Sequence, residues 1–343
     1  MRIGVLTAGG DAAGLNAAIR ALGVRALNDG HEILGIQNGW AGLVGELDAV
    51  SFGRREIEEL VGQGGTVLGT SRYNLDDPTG GREQVLATIT NELDAVVAIG
   101  GDGTQRIANW LAEHGAPIIG LPKTLDNDLV GTQYCIGFDT AVSIVAESID
   151  RLQTTAASHH RVIVVETMGR YAGWIAALGG LAGGADLVVI PEFPMSLDEI
   201  DAHATRRKDE GFGYSIICVA EGVTLASLGG SEVGEPQRDA IGRVRLETRG
   251  VGHYLAARLE ERGHRETRTT VLGHVQRGGT PTAHDRIWAT GLGAAAYDAV
   301  VGGRFGVIPV VRNDTMVEVP LREVTQGQRT VPREVYDLCA AFF

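Results

Sequence analysis

The sequence predicts an α/β protein with mainly parallel sheets, on three observations. Short apolar, β-branched runs alternate with stretches of helical spacing. Glycine clusters follow several of those runs, as loops at strand ends require. The chain has 343 residues, a length that suits about two domains.

The elements follow in order. Ile3–Leu6 is a short β-type run, then comes a glycine turn, then helical spacing from Ala17 to Leu27. Ala95–Ile99 is apolar and β-branched; Gly100-Gly101-Asp102-Gly103-Thr104 follows, and a helical pattern runs on through Leu111. Pro117–Leu121 reads as another strand, and Thr140 to Leu152 carries apolar residues at helical spacing. Arg161–Val165, Leu187–Ile190, Ile216–Ala220 and Thr269–Leu272 are further strands. Thr224 to Arg245 holds Gly229, Gly230, Gly234 and Pro236 and reads as a surface insertion or mobile loop. No linker-like composition divides the chain, so the domains are expected to be interleaved in sequence.

Composition narrows the function classes. The formal net charge is −13 and no basic footprint is present, which argues against a nucleic-acid partner. No apolar run approaches the ~20 residues that span a bilayer, and no signal-peptide pattern opens the chain. Cys135, Cys218 and Cys339 are far apart, without metal-ligand or redox spacing. These features together predict a cytoplasmic protein without a membrane partner. Trp40, Trp110, Trp174 and Trp288 read as packing residues, His31, His114 and His264 as solvent-facing, and Arg206-Arg207-Lys208 as one face of a surface helix.

Four segments carry chemistry. Thr7-Ala8-Gly9-Gly10-Asp11-Ala12-Ala13-Gly14 lies between a strand and a helix, where glycines let a phosphate approach backbone N–H groups; a tight structural turn would use the same residues. Gly100–Thr104 repeats the setting and adds Asp102, either a hard oxygen ligand for Mg²⁺ or a helix cap. Gly120-Leu121-Pro122-Lys123-Thr124-Leu125-Asp126-Asn127-Asp128 places two carboxylates, a hydroxyl and a lysine after a strand. Such carboxylates can accept a hydroxyl proton and help hold a metal, or can simply form an Asx turn. Arg161, Arg170, Arg268 and Arg277 flank strands, several beside glycines, and fork-like guanidinium groups recognise phosphate. Glu221 ends a strand where it could reach a ligand.

Taken together, GGDAAGLNAAIR, IGGDGT, GLPKTLDND, ETMGR and LGHVQRGGTPTAHDR resemble the bacterial-type ATP-dependent 6-phosphofructokinases, in the family's order and over nearly the whole chain. The form with Lys123 resembles the actinobacterial branch. The resemblance implies two similar Rossmann-like domains, residues 1–137 plus 276–326 binding nucleotide and 138–275 plus 327–343 binding sugar phosphate, with the active site in the cleft between them. It implies phosphoryl transfer from Mg-ATP to the 1-hydroxyl of fructose 6-phosphate, with Mg²⁺ as cofactor and ATP as co-substrate, in a glycolytic homotetramer whose active sites are shared between subunits.

The residue roles it implies are these. Asp126 matches the base, Thr124 and Arg170 support the transferring phosphoryl group, and Asp128 is a supporting carboxylate. Asp102 matches the metal residue, and Gly9, Gly10, Arg72, Tyr73, Gly101, Gly103 and Thr104 fall where nucleotide binds. Thr124, Asp126, Met168, Gly169, Arg170, Glu221, His274, Gln276 and Arg277 match the sugar-phosphate site, which Arg161 and Arg268 reach from a neighbouring subunit. Ala13 departs from the family's usual proline, which loosens the first loop. The rival readings are the same reaction with pyrophosphate as donor and a non-catalytic sugar-phosphate sensor. Gly103 favours ATP, because pyrophosphate-using relatives commonly carry Asp there; Lys123 is shared with those relatives. Retention of Asp102 and Asp126 argues against a sensor.

Overall fold

The computed structural model describes residues 1–71, 73–75, 81–231, 246, 249–264 and 266–343. They form two compact units, Met1–Thr140 with Arg277–Gln328, and Ala141–Gln276 with Arg329–Phe343. The strands in chain order are β1 (Arg2–Ala8), β2 (Glu32–Ile36), β3 (Ala49–Ser51), β4 (Ala95–Gly100), β5 (Ile118–Pro122), β6 (Val162–Thr167), β7 (Leu187–Val189), β8 (Ser215–Ala220), β9 (Arg268–Val271), β10 (Val307–Arg312) and β11 (Thr315–Pro320).

The first unit holds a seven-stranded sheet in the order β11-β10-β5-β4-β1-β2-β3. Its centre is parallel, with Val5 beside Val97 and Ile99 beside Leu121; β2 with β3 and β10 with β11 are antiparallel edge pairs. Alternate residues of the central strands feed opposite faces. Ile3, Val5, Val97, Ile99, Ile119 and Leu121 enter one core, which also contains the helices Leu15–Asn28 and Ala283–Val301. Leu6, Val96, Ala98 and Ile118 enter the other, against Ala108 and Leu111 of the helix Asp102–Glu113. A sheet buried on both faces explains why these strands read as continuous apolar runs.

The second unit holds an all-parallel sheet, β7-β8-β6-β9. Every residue of β8 is buried. The architecture is therefore α/β with mainly parallel sheets, as the alternation predicts.

Several details differ from the sequence reading. The strands β2, β3, β10 and β11 had no clear signal. Pro309 lies within β10, and proline usually excludes a strand; it is tolerated because the ladder from β10 to β5 has the single pair Val307 with Ile119. Within Thr224–Arg245, Leu225–Leu228 forms a short 3-10 helix whose Leu225 and Leu228 are buried, and residues 232–245 lie outside the described ones. His264 is not solvent-facing: its side chain is 7% exposed and its Nε2 lies 2.8 Å from Asp201 Oδ1. Arg207 is likewise turned inward, 2.7 Å from a largely buried Asp186.

Candidate active site

In the first unit, three loops leave the C-terminal ends of adjacent parallel strands β1, β4 and β5. That edge is where α/β sheets bind ligands. The loop after β1 is tied from behind. Thr7 Oγ1 meets Thr66 Oγ1 at 2.8 Å and donates to Gly69 O, and Thr70 Oγ1 donates to Gly9 O at 2.6 Å. The buried Asn16 donates to Gln63 O and Gly64 O and accepts from Val67 N. Gly9 sits at φ 85°, a left-handed conformation that favours glycine. The segment Gly64–Ser71 is thus part of the first loop's support, and sequence reasoning passed over it. Its signal was the repeated Gly and Thr residues that follow Gln63.

Arg277 belongs to this unit and docks on the same loop. Its Nη1 donates to Asp11 O at 3.1 Å, and a side chain on Gly10 would collide with its guanidinium. Lys123 is buried, and its Nζ donates to the Gly10 and Ala8 carbonyls. Thr104 Oγ1 also donates to Ala8 O, at 3.4 Å.

The loop after β4 opens the helix Asp102–Glu113, so Asp102 stands in its first turn, where the free N–H groups and the helix dipole favour anions. Gly100 is required by packing, since a Cβ there would strike the Thr104 side chain. Asp102 is held by Arg106 in a two-pronged pair, Nε to Oδ1 at 3.0 Å and Nη2 to Oδ2 at 2.5 Å.

After β5, Thr124 Oγ1 donates to Asp128 Oδ1 at 3.0 Å and accepts from Asp126 N at 3.2 Å. Thr124 thus links the Asp128 carboxylate to the backbone N–H of Asp126, and both it and Asp126 are half-buried. Asn127 adopts φ 50° and donates to Gln133 O, which fixes the turn. Asp128 is pushed up to about 6, first by burial and then by the charge of Asp126; Asp102 adds to the same field. Behind this loop, buried Asp285 accepts from Gly137 N, Thr140 N, Thr140 Oγ1 and Tyr134 OH. Sequence reasoning missed both Asp285 and Lys123 as internal anchors.

In the second unit, the ends of β6 and β8 carry Met168, Gly169, Arg170 and Glu221. Gly169 has φ 139°, and its carbonyl accepts from Gly222 N at 3.0 Å. Gln276 is fully buried: its Oε1 accepts from Met168 N and its Nε2 donates to Gly273 O. His274, on the same 3-10 turn, is exposed. Glu166 is an anchor, its Oε2 accepting from Gly252 N at 2.7 Å; burial raises its carboxyl above the ordinary range.

Arg161 and Arg268 are not with that group. They sit at the N-terminal ends of β6 and β9, with Ile163 registered beside Arg268, while Met168 and Gly169 follow the C-terminal end of β6. At ~3.3 Å per residue, roughly 20 Å separates the two ends. Within the chain, Arg161 pairs with Glu266 at 2.7 Å and Arg268 with Glu260 at 3.2 Å. Of the predicted nucleotide residues, Tyr73 is exposed and Arg72 lies outside the described residues.

Among the described residues, no three His, Cys, Asp or Glu side chains are arranged to hold an ion by themselves. No helix among them is long and apolar enough to cross a membrane.

Known proteins carry the same pattern. The phosphofructokinase family model matches residues 2–300. A pyrophosphate–fructose 6-phosphate 1-phosphotransferase of Amycolatopsis methanolica is 47% identical over 349 aligned residues, covering 100% of both chains. An ATP-dependent 6-phosphofructokinase of Corynebacterium efficiens is 42% identical, covering 100% of this chain and 99% of its own. The solved phosphofructokinase of Pichia pastoris in the T-state superposes with TM-score 0.80 and 31% identity, over 99% of this chain and 36% of the longer yeast chain. The strand-end loops and a match over most of the sequence lead to one conclusion: the chain belongs to the phosphofructokinase family.

Proposed function

We propose that this protein transfers the γ-phosphoryl group of ATP to the 1-hydroxyl of fructose 6-phosphate, giving fructose 1,6-bisphosphate and ADP. The observation that carries the reading is Asp126, held through Thr124 beside Asp128 and carried on the strand adjacent to the one that presents Asp102. In the reaction, the Asp126 carboxylate takes the hydroxyl proton as the sugar oxygen bonds to the γ-phosphorus. The bond from that phosphorus to the bridging oxygen breaks, and ADP leaves with the electron pair. Thr124 and Arg170 steady the transferring group, since phosphoryl transfer asks mainly for positioning and charge stabilisation. Asp128 supports Asp126 through Thr124.

A Mg²⁺ ion would supply charge neutralisation at the donor's phosphate oxygens. The donor set fits it: Mg²⁺ keeps waters and takes one or two carboxylates plus substrate phosphates, and Asp102 would offer one carboxylate once the exposed Arg106 side chain that holds it turns away. The nucleotide contacts are Gly9, Gly10, Arg72, Tyr73, Gly101, Gly103 and Thr104. The sugar phosphate is taken by Met168, Gly169, Arg170, Glu221, His274 and Arg277, and the buried Gln276 serves that site by holding Met168 N. Arg161 and Arg268 serve the site of a neighbouring copy, a reading supported by their place at the opposite end of β6 and β9. The protein works as a cytoplasmic homo-oligomer.

Pyrophosphate as donor is the second reading, favoured by the name of the 47%-identical relative and by Lys123. Two features weigh toward ATP. Position 103, in the first turn of the helix Asp102–Glu113, carries no side chain to repel a nucleotide phosphate. The Lys123 ammonium is engaged by the Gly10 and Ala8 carbonyls.

The test of the base is Asp126→Asn, which preserves shape and removes proton acceptance. General-base catalysis is worth ~10²–10⁴-fold, so kcat falls by about that factor while fructose 6-phosphate still binds by calorimetry. Turnover near the parent's would exclude Asp126 as the base.

A further inference from the structure

We infer that Gln105 is a positioning residue that holds the donor loop and the base loop at a fixed spacing; the inference rests on the reading above and names a further residue for the same site. Gln105 lies in the first turn of the helix Asp102–Glu113 and is fully buried. Its Nε2 is surrounded by three backbone carbonyls: Leu121 O at 2.8 Å, Gly100 O at 2.9 Å and Ala98 O at 3.4 Å. Three acceptors around one atom fix the amide's orientation, because Oε1 turned toward them would be repelled.

The carbonyls belong to two different strands. Ala98 and Gly100 end β4, which delivers Asp102, Gly103 and Thr104. Leu121 stands next to the end of β5, which delivers Thr124, Asp126 and Asp128. One side chain therefore ties together the two strand ends and the first turn of the helix between them. Gly100 O also accepts from Lys123 N at 3.1 Å, so the clamp closes on the same carbonyl as the ladder's last rung.

The arrangement has a cost that points to its use. Gln105 Oε1 is buried with no hydrogen-bond partner among the described residues, a state that native structures mostly avoid. It is accommodated because residue 120 is glycine: a Cβ there would collide with Oε1. An apolar side chain would fill the space without an orphaned acceptor, but it could not bond the first turn of the helix to the carbonyls of both β4 and β5. Reactions of this type are sensitive to placement, and a displacement of ~1 Å can cost ~10²-fold in rate.

The experiment compares Gln105→Met, similar in length but without a donor, with the milder Gln105→Asn. Turnover with saturating donor is measured beside the KM for fructose 6-phosphate, thermal stability and segment-resolved hydrogen exchange. The Met variant is expected to fold, to lose ~10–100-fold in kcat, and to keep its KM for fructose 6-phosphate within about twofold. Exchange in segments 98–106 and 119–128 should rise ~10-fold, the weight of one or two lost hydrogen bonds, with the second unit unchanged. Wild-type kcat in the folded Met variant overturns the inference, as does unaltered exchange in those segments. Failure of both variants to fold assigns Gln105 a purely structural role and also overturns it. If the parent protein itself transfers no phosphoryl group, the functional reading fails, and the exchange pattern still decides whether the clamp exists.

Discussion

A carboxyl group that is buried and faces another carboxylate is hard to ionise, and Asp128 is in that position. Its folded value of about 6 lies above the ordinary 3.8, with burial as the first cause and Asp126 as the second. A raised value means that the neutral form suits the fold. The contribution of this group to stability is complete below pH 3.8 and is lost as pH rises through about 6. The shift of about two units corresponds to roughly 3 kcal/mol at most, at ~1.4 kcal/mol per unit. Asp128→Asn keeps the acceptor for Thr124 and removes the titration. Chemical denaturation at pH 5 and pH 8 should therefore show a smaller loss of stability across that interval in the variant than in the parent. An equal loss in both proteins would assign the pH dependence to other groups. Roles at this scale were only partly legible in sequence. The residue types of Thr124, Asp126 and Asp128 were in plain view, but the hydroxyl link from the Asp128 carboxylate to the Asp126 backbone N–H is a matter of geometry. Gln105 gave no signal, and Lys123 was singled out beside Asp126 and Asp128 but not as an anchor, because their partners lie on other strands and no local spacing encodes a contact from residue 105 to residue 121.

At the scale of elements, the strand–glycine–helix units were the most readable part of the chain. A strand buried on both faces has to be apolar throughout, and a loop that meets a helix N-terminus needs glycine, so β1, β4 and β5 announced themselves. The outer strand pairs did not: β2 contains Gly35 and β10 contains Pro309, both of which break the usual strand composition. The anchor of the turn after the base loop was equally silent. Asp285 opens the helix Ala283–Val301 and receives four hydrogen bonds from residues about 150 positions earlier in the chain. Burial pushes its carboxyl upward, and those hydrogen bonds oppose the shift. Asp285→Ala would leave two buried backbone N–H groups and two hydroxyls without their acceptor. At ~1–3 kcal/mol for each unsatisfied group, offset by partial relaxation, the expected loss is about 3–5 kcal/mol. Urea denaturation of the variant checks this, and a loss below about 1 kcal/mol would show that the network is dispensable.

For the whole molecule, the separation of Arg161 and Arg268 from Met168 and Glu221 along one sheet is the feature with the largest consequence. If those arginines complete the site of another copy, two inactive variants should rescue each other. Mixed and refolded together, Asp126→Asn and Arg268→Ala subunits form some sites in which both residues are intact, and activity returns to roughly a quarter of the parent level for random pairing at a two-chain site. No recovery in verified hybrids, or full activity from a monomer, would contradict a shared site. The choice of donor belongs to this scale as well, because chains similar to this one over their full length carry names of both kinds. The most direct measurement is formation of fructose 1,6-bisphosphate by the purified protein from fructose 6-phosphate and Mg²⁺, with either ATP or pyrophosphate as donor. ATP should give product and pyrophosphate essentially none; efficient product formation with pyrophosphate, or none with either donor, would overturn the reading of this protein as an ATP-dependent enzyme.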